Sequence, residues 1–401
     1  MIQEKKKLSG TLNSKQFLNG TLSNSVIYVD PITQEKTVIP TAEQQIVTPD
    51  EEYTGLSKVT IEAIQDENLI SENIRNGVDI LGVTGNYVGS KYAPRYISFS
   101  NYSRAELDEE LANLDTRNIE NMNYMFNQCA AIKSLDLSNF NTSNSTDFSY
   151  MFSNCINLQT LNISSFDVSK ANSIRSMFYN CRNLTSLDLS NFNTSNVIYM
   201  DSVFSNCQSL TSLDLSNFNT SKANGMSSMF STCKKLTSLD LSNFDTSNVT
   251  DMSSMLNYCE NLQTLNISSF DTSNVSSVSN MFNYCKNLTN IPTINGNKLR
   301  SVAYMVNNCV SLTTFGGVQN LGKNYLTSSS ANYNDYKLNL STCTALTEQS
   351  LINVLTNLYD IATRGCKTQQ VILGSTNLAK LTSEEGQSAL AQATAYGWTI
   401  S

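Results

Sequence analysis

The 401 residues include no histidine. That absence removes Ser-His-Asp and Cys-His nucleophiles, along with every histidine-containing zinc or iron site. Charge is scarce too. Only 15% of residues are charged, and 26 basic against 34 acidic side chains leave −8. That balance argues against nucleic acid as a partner. No apolar run approaches the ~18 residues that a membrane helix requires, so no membrane insertion is expected. The start, Met1–Lys7, is basic, but Leu8-Ser9-Gly10-Thr11 stands where a signal peptide carries its apolar segment. The ending Gly397-Trp398-Thr399-Ile400-Ser401 has no anchor, and synthesis in a bacterial cytosol is the expectation. No cysteines stand at Cys-x-x-Cys spacing, and no Gly-rich phosphate loop occurs. Glu109-Glu110 and Glu384-Glu385 read as solvated helix faces. The expectation is no enzyme, no metal and no cofactor.

What is present is periodic. Cys129, Cys155, Cys181, Cys207, Cys233, Cys259 and Cys285 are separated by 26 residues each; Cys309, Cys343 and Cys366 follow at looser intervals. Phe140, Phe166, Phe192, Phe218, Phe244 and Phe270 keep the same period. So do Leu135-Asp136-Leu137 and its equivalents as far as Leu265-Asn266-Ile267. A period of 20 to 29 with Leu-x-x-Leu-x-Leu is a leucine-rich-repeat signature. In the unit from Leu184 to Cys207, Leu187-Asp188-Leu189 alternates as a short strand does, and Phe192 fills the corner. Asn193-Thr194-Ser195-Asn196 carries N-cap chemistry. Val197, Met200, Val203, Phe204 and Cys207 occupy one face of an expected short helix. The fold class expected is thus a leucine-rich-repeat solenoid of the α/β kind, with parallel strands on the concave face and short helices on the convex face. One buried cysteine per coil reads as a reduced core thiol.

The run from Met226 to Val249 resembles the bacterial surface-antigen class of leucine-rich repeats called BspA-like. The resemblance extends over roughly residues 114 to 345 and implies extracellular adhesion or recognition, without implying one ligand. Two N-terminal segments, Thr48–Thr60 and Leu69–Gly85, resemble modules of bacteriophage tail fibres and baseplate proteins. Residues 378–398 resemble endings of phage-encoded repeat proteins.

Five regions are expected. They are an attachment arm (1–30), a small β-rich module (31–88), an N-terminal cap (89–114), the repeats (115–345) and a C-terminal α/β cap (346–401). The two Leu-x-Gly-Thr-Leu stretches, Leu8–Leu12 and Leu18–Leu22, suggest short strands or hairpin arms. Further β-rich runs are Thr37–Ile39, Gln45–Val47 and Lys58–Ile61, with an amphipathic stretch at Asn68–Arg75. In the caps, Tyr96–Phe99, Val371–Leu373 and Trp398–Ile400 read as strands. Ser103–Leu111, Thr347–Ala362 and Ser383–Tyr396 read as helices.

Two sets of candidate binding residues follow. The outward strand column is Asp136, Asn162, Asp188, Asp214, Asp240 and Asn266. It reads either as a groove for a periodic polymer or as a solvated, hydrogen-bonded ladder. The variable rim is Tyr150, Tyr179, Arg182, Tyr199, Lys234, Tyr258 and Tyr284, where a unique epitope would sit. The expected function is that of a phage tail-associated protein in the virion tail. Its repeats would recognise a bacterial cell-surface polysaccharide or protein, and residues 1–88 would hold tail or baseplate proteins. A homo-oligomer, for instance a trimer, fits this reading. The alternatives are a bacterial surface adhesin and a virion decoration protein.

Overall fold

A computed structural model describes residues 119–324, 337–364 and 369–401, most of 99–117, and six short strands between residues 6 and 84. The chain divides into two compact units, residues 1–94 with 109–118 and residues 95–108 with 119–401.

In the first unit, β1 (Lys6–Leu8) pairs antiparallel with β2 (Ile27–Val29). Strand β3 (Glu35–Val38) pairs in parallel with β4 (Lys58–Ile61), where two β-rich runs were expected. Strands β5 (Asp79–Ile80) and β6 (Val83–Thr84) form a tight antiparallel hairpin. Leu18–Leu22, Gln45–Val47 and Asn68–Arg75 lie outside the described residues, as does Cys366.

Helix α1 (Arg104–Asn113) precedes the repeats, close to the expected bounds. Of the expected strand Tyr96–Phe99, only Phe99 is described, and it already stands in repeat register. Its N–H donates to Met125 O at 2.8 Å.

Successive 26-residue repeats stack in parallel and in register. Asn121, Asp147, Ser173, Tyr199, Gly225, Asp251, Ser277 and Ser301 form an unbroken chain of parallel bridges from one repeat to the next. This ladder runs through the segment read above as a helix. Val197–Cys207 and its equivalents form no helix; each is a run of turns. The N–H groups of Phe148, Tyr150, Phe152 and Asn154 donate to Ser173, Arg175, Met177 and Tyr179 of the next repeat, at 3.0, 2.8, 2.9 and 2.7 Å. The intervening N–H groups of Met151, Ser153 and Cys155 close turns onto Phe148, Tyr150 and Phe152 at 3.2, 3.0 and 3.2 Å. Alternate donors thus serve the neighbour and the repeat itself. A helix would keep them all at home.

Two left-handed residues per repeat make this path possible: Tyr150 and Asn154 (φ 58° and 62°), Ser176 and Asn180 (53° and 62°), and so on at the same two positions. Their cost of roughly 1–2 kcal/mol each is offset by the ladder and by the core beneath it. Phe99, Phe126, Phe152, Phe178, Phe204 and Phe230 stack ring on ring, with centroids 5.3, 5.5, 5.7, 5.8 and 5.6 Å apart. Phe192, Phe218 and Phe244 make a second column at 6.4 Å. Each fully buried ring contributes roughly 1.5–3 kcal/mol.

The nine described cysteines are free and buried. Each thiol donates to a carbonyl of the preceding repeat: Cys155 to Phe126, Cys181 to Phe152, Cys207 to Phe178, all at 3.1 Å. Burial pushes Cys181 and Cys259 up to about 12, and Cys207, Cys233 and Cys285 well above the ordinary thiol range.

The sheet on the strand face is not continuous. Strand β7 (Ser134–Asp136) pairs with β8 (Thr160–Asn162), and β9 (Ser238–Asp240) pairs with β10 (Thr264–Asn266), both in parallel. The equivalent segments at Leu187 and Leu213 carry no strand. Elsewhere the repeats are clamped by buried threonines. Thr194 Oγ1 donates to Asn219 O at 2.9 Å and accepts from Asn219 N at 2.8 Å. Thr142, Thr246 and Thr272 do the same to Asp167, Asp271 and Asn295. The N-cap chemistry expected at Asn193 is an Asx turn instead, with Oδ1 accepting from Ser195 N at 3.2 Å.

Past the last regular repeat come two more parallel pairs. Strand β11 (Asn290–Ile291) pairs with β13 (Thr314–Phe315), and β12 (Ile294–Asn295) with β14 (Val318–Gln319). The end is a three-stranded parallel sheet of β15 (Leu338–Asn339), β16 (Gln369–Ile372) and β17 (Trp398–Ile400). Helix α2 (Glu348–Thr356) starts at Thr347, whose side chain caps Ser350 N. It stops six residues short of Ala362, because Leu358 and Tyr359 leave the helix to pair with Leu321. After the short α3 (Gly374–Leu378), α4 (Glu384–Ala395) is capped by Ser383, and Glu348 ties the two longer helices by accepting from Ser383 N at 2.8 Å. Trp398 is buried and donates Nε1–H to Tyr359 O at 2.9 Å, which makes it core.

Candidate functional site

The strand column consists of exposed side chains, each engaged in its own turn. Asp136, Asp188, Asp214 and Asp240 accept from the backbone N–H two residues on, at 3.0 Å. Asn162 and Asn266 accept from Ser164 and Ser268 at 3.2 Å. The Ser216 amide, then its hydroxyl, hold the Asp214 carboxyl below the usual range; Ser190 does the same for Asp188. All four carboxylates therefore stay ionised at neutral pH.

Their neighbours decide whether strands form. Asn162 Nδ2 donates to Asp136 Oδ1 at 2.9 Å, and the Asn266 side chain is among the groups that lower the Asp240 pKa, after Ser242. Among the regular 26-residue repeats these are the two places where neighbours pair as strands. Asp188, Asp214 and Asp240 follow one another with no amide between them. There the pairing is absent, as it is also between the Asn162 and Asp188 segments. Like charges directly opposite one another destabilise a sheet.

The rim residues lie on the turn face, and the left-handed positions bring several together. Tyr150 stacks on Tyr124 with centroids 4.7 Å apart and planes 7° off parallel. Tyr258 stacks on Tyr284 at 4.4 Å and 7°. Each pair occupies one left-handed position in consecutive repeats. Tyr199 is exposed, with the Arg175 guanidinium 6.0 Å from its ring centroid. Arg175 in turn pairs with Asp201 at 2.8 Å, which raises its pKa. Asp201 also accepts from Ser227 N at 3.2 Å and Oγ at 3.0 Å. Gly225 leaves room for this, since a Cβ there would sit 2.6 Å from Asp201 Oδ1.

Tyr179 is exposed. Arg182 Nε donates to Asn180 Oδ1 at 2.7 Å, and Asn180 Nδ2 to Asn154 Oδ1 at 2.7 Å. Lys234 and Lys286 both pair with Glu260, at 3.2 and 2.6 Å, and Lys286 Nζ lies 5.7 Å from the Tyr284 ring centroid. The Lys286 ammonium, first through its hydrogen bond, lowers the Glu260 pKa.

Tyr124, Arg175 and Asp201 were missed in the rim set. Aligning the repeats on their cysteines would have found Tyr124, which shares with Tyr150 the fifth position before the cysteine. Arg175 and Asp201 share the sixth. Among the described residues, two buried side-chain oxygens have no partner, Asn123 Oδ1 and Asn283 Oδ1. No group of three acidic or cysteine side chains among those residues could hold a metal ion.

A comparison with curated proteins finds no match. A comparison with protein families finds two matches to one family, over residues 96–213 and 199–317. Together they span more than half of the chain, over the same stretch in which the repeats stack. The chain belongs to the family described as Mycoplasma protein of unknown function, DUF285.

Proposed function

We propose that this protein recognises a bacterial surface through a leucine-rich-repeat-type solenoid whose helices are replaced by turns. On this reading the repeats are a stiff carrier, and the residues that break their monotony are the recognition surface. One observation supports it most. The repeats share one register, and the Tyr, Arg and Lys side chains that break their monotony fall within the same turn segment of each repeat, where Ser and Asn recur. Residues 1–88, by their resemblance to tail modules, would attach the repeats to a phage tail, with tail or baseplate proteins as partners. A second reading, a cellular surface adhesin, is favoured by the family's description, which names proteins of Mycoplasma.

Location separates the two. Antibodies raised against the full chain are expected to detect it in purified phage particles from the strain that encodes it. Detection on intact cells without particles would establish the adhesin reading. Detection in neither place would sink both.

A further inference from the structure

The ladder sets two pairs of tyrosines face to face. Tyr124 and Tyr150 stand at one left-handed position of consecutive repeats, with φ 56° and 58°; Tyr258 and Tyr284 stand at the other, with φ 58° and 60°. Their backbones are fixed by bonds between repeats. The N–H groups of Tyr124, Tyr150, Tyr258 and Tyr284 donate to Ser149, Arg175, Asn283 and Asn307, at 3.0, 2.8, 2.8 and 2.8 Å. Each ring is therefore close to a copy of its partner displaced by one repeat. The centroids lie 4.7 and 4.4 Å apart, matching the ~4.8 Å spacing of paired strands, and the planes are 7° off parallel in both pairs. In such a pair the Cε carbons of one ring face those of the other. All four residues are half-buried, neither sealed in the core nor fully exposed.

That arrangement suits one reaction. A tyrosine that gives up one electron and its phenolic proton becomes a phenoxyl radical, whose unpaired spin lies on the oxygen and on the two Cε carbons beside it. Two such radicals in contact form a Cε–Cε bond. The hydrogens on the joined carbons then move to the ring oxygens, which restores both phenols as dityrosine. The sum is two electrons and two protons lost. One molecule of hydrogen peroxide takes them up and becomes two molecules of water, with a haem peroxidase as the one-electron carrier. Bringing two side chains together costs freedom of motion, and a stack already fixed by the fold has met that cost before the chemistry begins. Thiols would compete for oxidant, but all nine described cysteines are buried.

We infer that Tyr124–Tyr150 and Tyr258–Tyr284 are sites of oxidative cross-linking, where peroxidase and hydrogen peroxide convert each stacked pair into a covalent staple between neighbouring repeats. This holds whichever surface the protein recognises. The contribution of the fold is selection. Tyr199 and Tyr304 are more open to an oxidant, at 44% and 56% exposed. Yet the ladder gives Tyr199 Ser173 and Gly225 as neighbours, and Asn280 holds the left-handed position one repeat before Tyr304. Exposure sets how readily a ring is oxidised; the register sets which ring it meets. Each staple would join residues 26 apart in the chain, and such a link restricts the unfolded state more than the folded one.

The test exposes the full chain, at low concentration, to a haem peroxidase and hydrogen peroxide. Free tyrosine in a parallel sample shows by its own coupling that the oxidant works. The monomer is then isolated and digested after lysine, arginine and glutamate, which cuts at Lys133 between Tyr124 and Tyr150 and at Glu260 between Tyr258 and Tyr284. Dityrosine fluorescence is expected in the monomer, with the mass of two hydrogen atoms lost per link. Two linked peptide pairs are expected, Tyr124 with Tyr150 and Tyr258 with Tyr284. Tyr150→Phe should remove the first link alone, and Tyr284→Phe the second. Phenylalanine keeps the ring, and circular dichroism checks that each variant folds. In urea the preference should vanish, because Tyr179 and Tyr199, 20 residues apart, then meet as readily as residues 26 apart. The linked protein should unfold at a higher temperature than the untreated one. No link in the monomer while free tyrosine couples, other tyrosines joined as often, or the same selectivity in urea would each overturn the inference. So would a lower unfolding temperature after linking, since the rings would then have left the native stack to join.

Discussion

Asp214 has an aspartate on either side of it in the stack, Asp188 before and Asp240 after. Its carboxylate is exposed and held ionised by Ser216, so it cannot relieve the repulsion by taking up a proton near neutral pH. Asn162 and Asn266 stand at the same position; Asn162 donates its amide to Asp136, and Asn266 is among the groups that lower the Asp240 pKa, after Ser242. Among the 26-residue repeats, strands pair where the later repeat carries asparagine at this position. Asp214→Asn should therefore give Asp188 the donor that Asp136 already has, and strand pairing should extend into the Leu187 and Leu213 segments. The expected result is a small rise in unfolding temperature at low salt. In ~1 M salt, where charges a few ångströms apart are screened, the parent should gain stability and the difference should shrink. Thermal unfolding of both proteins at the two salt levels decides it. A lower unfolding temperature for Asp214→Asn, or a parent indifferent to salt, would show that charge does not set the break in the sheet.

The element that defines each repeat is the double turn with its two left-handed residues, and its backbone path was not legible in the residues that form it. Val197, Met200, Phe204 and Cys207 are all buried, as an amphipathic helix would have them. Hydrophobic spacing reports which side is buried, and two backbone paths bury the same side here. The local polar signal is equally two-faced. A side-chain oxygen at Asn193 accepting an amide two residues on serves an Asx turn as readily as a helix start. The left-handed positions hold Tyr, Ser, Asn, Gln and Thr rather than glycine, so no glycine signals them. What could be read was the register, because the cysteines and phenylalanines recur every 26 residues and each meets its own kind in a neighbouring repeat. The stacked tyrosine pairs, Tyr124–Tyr150 and Tyr258–Tyr284, were half legible for the same reason. Three of the four rings stand out, but pairing them requires knowing which positions turn outward. One substitution pair distinguishes the paths by sign. Ser254 has φ 56°, so Ser254→Gly should be more stable than Ser254→Ala by about 1 kcal/mol. In a helix the order would reverse by about the same amount. Urea unfolding of the two variants measures it, and alanine as the more stable residue would restore the helix.

For the repeat array as a whole, the cysteine column couples stability to pH. Buried thiols from Cys181 to Cys285 lie one above another in consecutive repeats, each bonded to a carbonyl of the repeat before. Burial keeps Cys181 and Cys259 protonated up to about 12 and holds Cys207, Cys233 and Cys285 well above their ordinary value of 9.0. The unfolded chain gives up those protons from about pH 9. Above that pH the unfolded state binds fewer protons than the folded one, so stability falls as pH rises; below it the full contribution is present. One unit above the unfolded value, each thiol withdraws on the order of 1 kcal/mol, and the five together several kcal/mol. That is comparable to the whole stability of an ordinary domain. The protein should therefore be insensitive to pH between 7 and 8.5 on account of these groups, and should unfold steeply near pH 10. Because folding is what keeps these five thiols neutral, their thiolate absorbance should appear together with the loss of circular dichroism, after that of Cys129 and Cys343, whose hydrogen bonds to Cys155 and Cys309 lower their pKa. At pH 9, thiolate signal that persists in a Cys129→Ser, Cys343→Ser, Cys366→Ser variant still showing its native spectrum would place the column in contact with solvent, and the stacked core inferred from it would have to be given up.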